Sequence, residues 1–380
     1  MKQSVLLIAL CLLTGLQAFA QGTIVTMTTK NDSVKIYVEW TGTGSIMANG
    51  VELKAINTTT ISAAADGSVV LTATRGAQLT YLFCDGNSLT ALDLTDCSKL
   101  ERLFCDDNLL HSLDVTKCPE LKILGCRYNS LCTLDVTNCP KLEYLSCENI
   151  SLTALDIHNC PELTVLQCSD NNSLRTLDVT NCPKLEYLSC ENISLTSLDI
   201  TNCPELMVLL CADNSLTSLD ITNCPKLTKL YCDGNLLTTL DITNCPELRE
   251  LSCSNNSLSA LDLANCLELT NLYCQNNSLT TFDIANCPKL MEMYANNQTP
   301  KLPIIQSNGT GLSVRNPIKF AGVEVGIENI SHNGTYKADN IIWDIQGESG
   351  EVTFDFTTKL PDGVEGEPFS GTVTQPWTKE

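Results

Sequence analysis

Apolar positions recur on a fixed schedule through the middle of the chain. Leucine opens a row at Leu79, Leu100, Leu121, Leu142, Leu163, Leu185, Leu206, Leu227, Leu248 and Leu269. The rows align at 21 residues, with one extra residue near Asn171-Asn172. Leu206–Lys226, LMVLLCADNSLTSLDITNCPK, is a representative row. Each row holds the pattern twice, as in LTKLYCDGNL from Leu227 and LTTLDITNCPE from Leu237. Each half contains a short alternating stretch, Leu230-Tyr231-Cys232 and then Leu240-Asp241-Ile242. Alternation turns the two outer residues inward and the middle one outward. Two such stretches leave no room for an α-helix, which needs about ten residues or more. Each row therefore predicts a flat coil with two short parallel strands, stacked on its neighbours at ~4.8 Å. One coil cannot bury its own leucines, so stability grows with repeat number and the ends need caps.

Ten rows run from Leu79 to Lys289, and Leu290 opens a partial eleventh. The spacing L-x-x-L-x-[L/C]-x-x-[N/C] at this period resembles leucine-rich repeats, in particular the short, nested repeats of bacterial surface proteins. The expected architecture is mainly β. Residues 21–78 form an N-terminal β cap, 79–300 the solenoid and 301–380 a C-terminal β-sandwich. Alternation in Ser33–Trp40 and Gly350–Phe356 supports β structure at both ends. Asp135–Thr153 recurs unchanged at Asp178–Thr196, the mark of a duplication.

Residues 1–20 read as a secretion signal. Lys2 gives the positive start, Val5–Leu13 the apolar run, and Ala18-Phe19-Ala20 the cleavage site, so the mature chain is expected to begin at Gln21. A lipoprotein reading would use Cys11, but Leu10 stands where a small residue is wanted. The rest of the chain lacks an apolar run long enough to span a bilayer. The formal net charge is −21, and loss of Lys2 moves it to about −22. That sign argues against nucleic acid and anionic membrane as partners.

Four columns repeat from row to row. Cys84, Cys105, Cys126, Cys147, Cys168, Cys190, Cys211, Cys232, Cys253 and Cys274 stand at the inward end of the first strand. Cys97, Cys118, Cys139, Cys160, Cys182, Cys203, Cys224, Cys245, Cys266 and Cys287 occupy the turn. Secretion favours disulfides, yet parallel neighbours keep their Cβ atoms near ~4.8 Å, beyond the ~3.8 Å a disulfide wants. Buried thiols acting as small hydrophobes are expected, with Cys132 alone at an outward position. Asp fills the middle of every second strand, from Asp93 and Asp114 to Asp262 and Asp283, often with Thr two residues on. It reads as a ladder of Asx caps or as a calcium-binding edge. Finally, Lys99, Glu120, Lys141, Glu162, Lys184, Glu205, Lys226 and Glu247 alternate in sign, which would fix coil register.

The first strand's outward positions vary instead. One column reads Phe83, Phe104, Gly125, Ser146, Gln167, Ser189, Leu210, Tyr231, Ser252, Tyr273, Tyr294. The column two residues earlier holds Tyr81, Arg102, Ile123, Tyr144, Val165, Tyr187, Val208 and Lys229. Aromatics are scarce in the chain yet gather here. Tyr81, Phe83, Arg102, Phe104, Tyr144, Tyr187, Leu210, Tyr231, Tyr273 and Tyr294 are therefore the candidate ligand-binding residues. The bland alternative is that tyrosine simply favours strands.

The C-terminal segment is similar to the immunoglobulin-like domain that adjoins the repeats of bacterial internalins. The matching stretches are Asn316-Pro317-Ile318-Lys319, Gly334-Thr335-Tyr336, Ile342-Trp343-Asp344, Val352-Thr353-Phe354 and Phe369–Pro376. The resemblance implies a repeat array fused rigidly to a small β-sandwich, and binding of host or cell-surface proteins through the repeat face. The family's repeats are usually one residue longer and its N-terminal cap is helical, whereas residues 22–78 read here as β. No wall anchor is expected after Trp377.

Catalysis would need differentiated titratable groups in a pocket. His111, His158 and His332 lie far apart in the chain, and the Asp ladder repeats one environment. No enzyme activity, cofactor or metal is expected. The expected function is a secreted or cell-surface, monomeric binder of a protein ligand. A glycan ligand and a purely structural spacer are the alternatives. The periplasm and the outer surface both remain open as its location.

Overall fold

The computed structural model describes residues 22–54, 57–74, 76–307, 312–320, 325–343 and 349–379. The expected leader, Gln21 and Asp344 lie outside them. All regular elements among the described residues are strands. The chain forms two compact units, Met1–Leu142 and Glu143–Glu380.

In the first unit two N-terminal strands flank the opening coil. Gly22–Thr29 pairs antiparallel with Ser68–Ala73 and with Leu89–Asp93, the second stretch of that coil. Ser33–Thr41 pairs antiparallel with Thr59–Ser62 and with Gln78–Phe83, its first stretch. Val25, Met27, Val34, Ile36 and Val38 bury the apolar side of these strands. The cap thus meets both exposed strand edges, which would otherwise offer unpaired N–H and C=O groups. Arg102–Phe104 and Ile123–Gly125 then continue the sheet in parallel, with Tyr81, Arg102 and Ile123 in one register and Phe83, Phe104 and Gly125 in another.

In the second unit strands of three residues follow from Tyr144–Ser146 to Glu292–Tyr294, all parallel and in register. Their middle residues, Leu145, Leu166, Leu188, Leu209, Leu230, Leu251, Leu272 and Met293, are fully buried. Burying each such side chain contributes about 1.5–3 kcal/mol.

The second stretch of each coil is extended but rarely ladders with its neighbours. It forms regular strands only at Leu89–Asp93 and Thr281–Phe282 among the described residues, with a bridge at Asp114–Asp135. The Asp column holds the turn that follows each second stretch. Asp93 Oδ1 accepts from Thr95 N at 3.0 Å and from its hydroxyl at 2.5 Å, and the pattern repeats through Asp114, Asp178, Asp199, Asp220 and Asp241. Where Thr is missing, Ala264 N still donates to Asp262 and Ala285 N to Asp283.

A buried column that sequence reasoning did not single out holds the coils together. Asn108 Oδ1 accepts from Asn87 N at 3.0 Å and Leu89 N at 2.9 Å, and its Nδ2 donates to the Cys84 and Cys105 carbonyls, both at 3.0 Å. Asn129, Asn171, Asn214, Asn235, Asn256 and Asn277 repeat this bridge, and Gln298 performs it at the last coil. Ile150 and Ile193 stand in this position in the duplicated rows.

The C-terminal part of the second unit is a pair of sheets. One orders Ile305–Ser307, Ser370–Lys379, Ser349–Thr357 and Gly326–Glu328; the other Leu312–Arg315, Asn340–Trp343 and Thr335–Lys337. Trp343, Phe354, Phe356, Phe369 and Val373 are buried, with the Trp343 and Phe354 rings 6.3 Å apart. Glu365–Glu367 adds in parallel to Glu292–Tyr294 and covers the last strand of the repeats. A Cβ on Gly366, at φ +120°, would lie 2.1 Å from the Met293 carbonyl oxygen, so only glycine fits this contact.

Candidate binding face

The thiols settle into the core. All 21 described cysteines are free and all but Cys132 are buried. In the strand column Cys84, Cys105 and Cys168 point their Sγ at the carbonyl of the next coil, each at 3.4 Å. In the turn column Cys139 and Cys203 make longer contacts, at 3.8 Å, to Cys118 O and Cys182 O. Burial pushes Cys97, Cys182 and Cys245 up to about 12. Such groups stay protonated at neutral pH and are poor nucleophiles and metal ligands. The charge column pairs as its alternation suggests: Lys141–Glu120 and Lys184–Glu162 at 2.5 Å, Lys289–Glu268 at 2.6 Å, and Lys226–Glu205. These columns are scaffold.

The varied columns form the face. In the first unit Tyr81, Phe83, Arg102 and Phe104 come together. Tyr81 and Phe104 pack edge to face at 5.9 Å, and Phe83 and Phe104 at 6.3 Å. Arg102 lies 4.6 Å above the Tyr81 ring and pairs with Glu39 at 2.6 Å. Burial raises the Tyr81 phenol, against the pull of Arg102. Tyr37 and Glu39 join this cluster from the capping strand: Tyr37 meets Tyr81 at 5.1 Å. They were missed because Ser33–Trp40 reads in sequence as a cap, and only its antiparallel pairing with Gln78–Phe83 reveals the shared face. The Phe104 ring fills the space over Gly125, where a Cβ would approach it to 2.9 Å.

In the second unit the tyrosine hydroxyls reach to the next coil. Tyr144 donates to Gln167 at 2.6 Å, Tyr231 to Glu250 at 2.8 Å and Tyr273 to Glu292 at 2.6 Å. Tyr273 and Tyr294 stack at 5.7 Å. Tyr187 sits in register between Val165 and Val208, and Leu210 between Ser189 and Tyr231. Lys229 lies 4.4 Å from the Tyr231 ring and pairs with Glu250 at 2.8 Å, which raises the ammonium and lowers the carboxyl. These side chains are half-buried, resting on one another and open on one side. The face offers apolar area, π surfaces and a few oriented polar groups, the composition of a recognition surface.

A groove of about 820 Å³ on the turn side is lined by Thr, Asn and Pro, among them Thr180, Thr201, Asn202 and Pro204. It contains no titratable side chain to act as acid, base or nucleophile.

Residues 322–378 match the LRR adjacent family. The chain is 36% identical over 85 residues to internalin I of Listeria monocytogenes, covering 22% of this chain and 5% of that protein. It is 35% identical over 85 residues to internalin H of the same species, covering 22% and 15%. The chain thus matches only a small part of either relative's length. Among solved structures, the functional domain of InlJ from L. monocytogenes, described as including a cysteine ladder, aligns with a TM-score of 0.49 at 25% identity over 79% of this chain and 90% of that one. With its repeats and LRR adjacent segment, the chain is similar to the internalins of Listeria.

Proposed function

We propose that this protein is a secreted or cell-surface, non-enzymatic binding module that takes a protein ligand on the first-strand face of its repeats. One observation carries the reading. The Leu, Cys, Asp and Lys/Glu columns repeat from row to row and contact their own coil neighbours, whereas the first-strand face varies and presents half-buried aromatics. Tyr81, Phe83, Arg102 and Phe104 in one unit, and Tyr144, Tyr187, Leu210, Tyr231, Tyr273 and Tyr294 in the other, are the proposed contacts. The internalin relatives support a protein-interaction role for a chain built this way. The reading takes residues 1–20 as its leader, residues 21–78, 79–300 and 301–380 as cap, repeats and adjacent domain, and the monomer as its active form.

Capture from a cell-surface protein extract tests it. The mature chain is one bait, and a variant with Tyr81, Phe83, Phe104, Tyr144, Tyr187 and Tyr231 changed to Ser is the other, its fold checked by circular dichroism. A protein retained by the first and lost from the folded second supports the reading. Equal capture by both, or release of the captured material by soluble glycans, contradicts it.

A further inference from the structure

The repeat face in the second unit is charged asymmetrically along its two margins. On the margin where the strands begin, carboxylates meet lysines of the next coil, as in Lys184–Glu162 and Lys226–Glu205. On the margin where the strands end, Asp170, Glu191, Asp213 and Asp233 follow one another on four consecutive coils. None of these four forms an ion pair among the described residues. The basic side chain on the adjoining strands, Lys229, is committed to Glu250.

Local hydrogen bonds hold two of the four carboxylates in place. Asp170 accepts from Asn192 Nδ2 at 3.0 Å, and Asp233 accepts from Ser254 N at 3.0 Å. Asp213 lies where a Cβ of Gly234 would stand, 2.4 Å from that position. Glu191 is half-buried, and its carboxyl is pushed up by burial and by Asp170, Asp213 and Asp233. Between the two margins run Val165, Tyr187 and Val208 at the strand starts and Leu210 and Tyr231 at the strand ends, all half-buried. The fold brings four like charges together along an aromatic and aliphatic strip and supplies no counter-charge. Such an arrangement favours a partner of opposite sign, for which the charges set both register and encounter rate.

We propose that this strip docks a basic, partly apolar segment of the partner protein, its Lys or Arg side chains pairing with Asp170, Glu191, Asp213 and Asp233 and its apolar groups covering Tyr187, Leu210 and Tyr231. The assignment rests on the protein-binding reading above and gives that partner its chemistry. Three coil steps span about 14 Å, the reach of about five extended residues. Cations of such a segment also gain from the faces of the tyrosines.

The test uses the whole mature chain and a fluorescent decapeptide of repeated Lys-Leu-Lys-Tyr sequence, titrated by anisotropy at physiological salt. Controls are its Glu-for-Lys counterpart, oligolysine of the same length, and calcium as competitor. Two variants accompany the wild type: a near-isosteric margin variant, D170N/E191Q/D213N/D233N, and a strip variant, Y187S/L210S/Y231S, each with its thermal unfolding recorded. The proposal expects saturable binding of the basic amphiphilic peptide and none of its acidic counterpart. It expects affinity to fall at least tenfold in each folded variant. Undiminished binding by the margin variant together with loss in the strip variant overturns the proposed chemistry while leaving a binding face. Undiminished binding by both variants, or none to the wild type, overturns the proposal, as does oligolysine binding equally well. Displacement by millimolar calcium that the margin variant does not show would make the margin a cation site and overturn it too.

Discussion

At the residue scale, one position separates structural from electrostatic roles. Asp85 stands at the end of the first repeat strand, and Asp106 N donates to its Oδ1 at 2.8 Å. Burial, with Asp106 nearby, pushes its carboxyl up to about 6. A carboxyl raised in the fold above its unfolded value of about 3.9 binds its proton more tightly when folded. Its effect on stability is therefore unfavourable above about pH 6 and fades as the pH falls toward about 4. D85N keeps the accepting Oδ1, so it should be more stable than wild type at pH 7.5, with most of the advantage gone by pH 4.5. Urea unfolding at both values checks this, and no advantage at pH 7.5 would refute it. The thiols make a second residue-scale prediction. Among the described cysteines only Cys132 is exposed. A thiol reagent should therefore label one cysteine quickly in the native protein and the rest only after denaturation. Rapid native labelling of either column would contradict the packing described here.

At the scale of elements, most of the repeat is legible because its physics is periodic. The inward leucines, the thiol columns and the Asp–Thr caps all follow from alternation and from side-chain reach of two residues. The second stretch is read as a strand and is extended, but it seldom pairs as a regular strand among the described residues, which alternation cannot show. Asn87, Asn108 and Asn129 recur as the last position of the repeat spacing, but the spacing alone assigns them no role. Their burial becomes visible only when Asn108 is seen to bridge two coils. The cap's share of the binding face was invisible for another reason. Tyr37 meets Tyr81 through an antiparallel register separated by 44 positions of chain, and no local pattern encodes it. The junction at the last repeat yields an element-scale prediction. G366A would place a methyl group against the Met293 carbonyl at a backbone angle that disfavours side chains. The φ alone costs about 1–3 kcal/mol. Urea unfolding should show a loss of at least that size, with faster proteolysis near Glu365–Glu367. Unchanged stability would mean that this strand does not cover the repeats.

At the scale of the whole molecule, scaffold and function divide by column. Buried Leu, Cys and Asn stack the coils, while Lys–Glu pairs and Asx caps satisfy two of the outward columns. The strongly negative charge sets the sign of what the chain attracts without naming it. What remains unsaturated is the aromatic first-strand face, and protein binding there is the central claim. Hydroxyl-radical footprinting of the mature chain, with and without its captured protein partner, tests that claim most directly. The account predicts that the partner protects some of Tyr81, Phe83, Phe104, Tyr144, Tyr187, Leu210, Tyr231, Tyr273 and Tyr294 from oxidation and leaves Pro183, Pro204 and Pro225 at the turns reactive. Protection confined to the turn prolines, with the face tyrosines oxidised as fast as in the free chain, would contradict it.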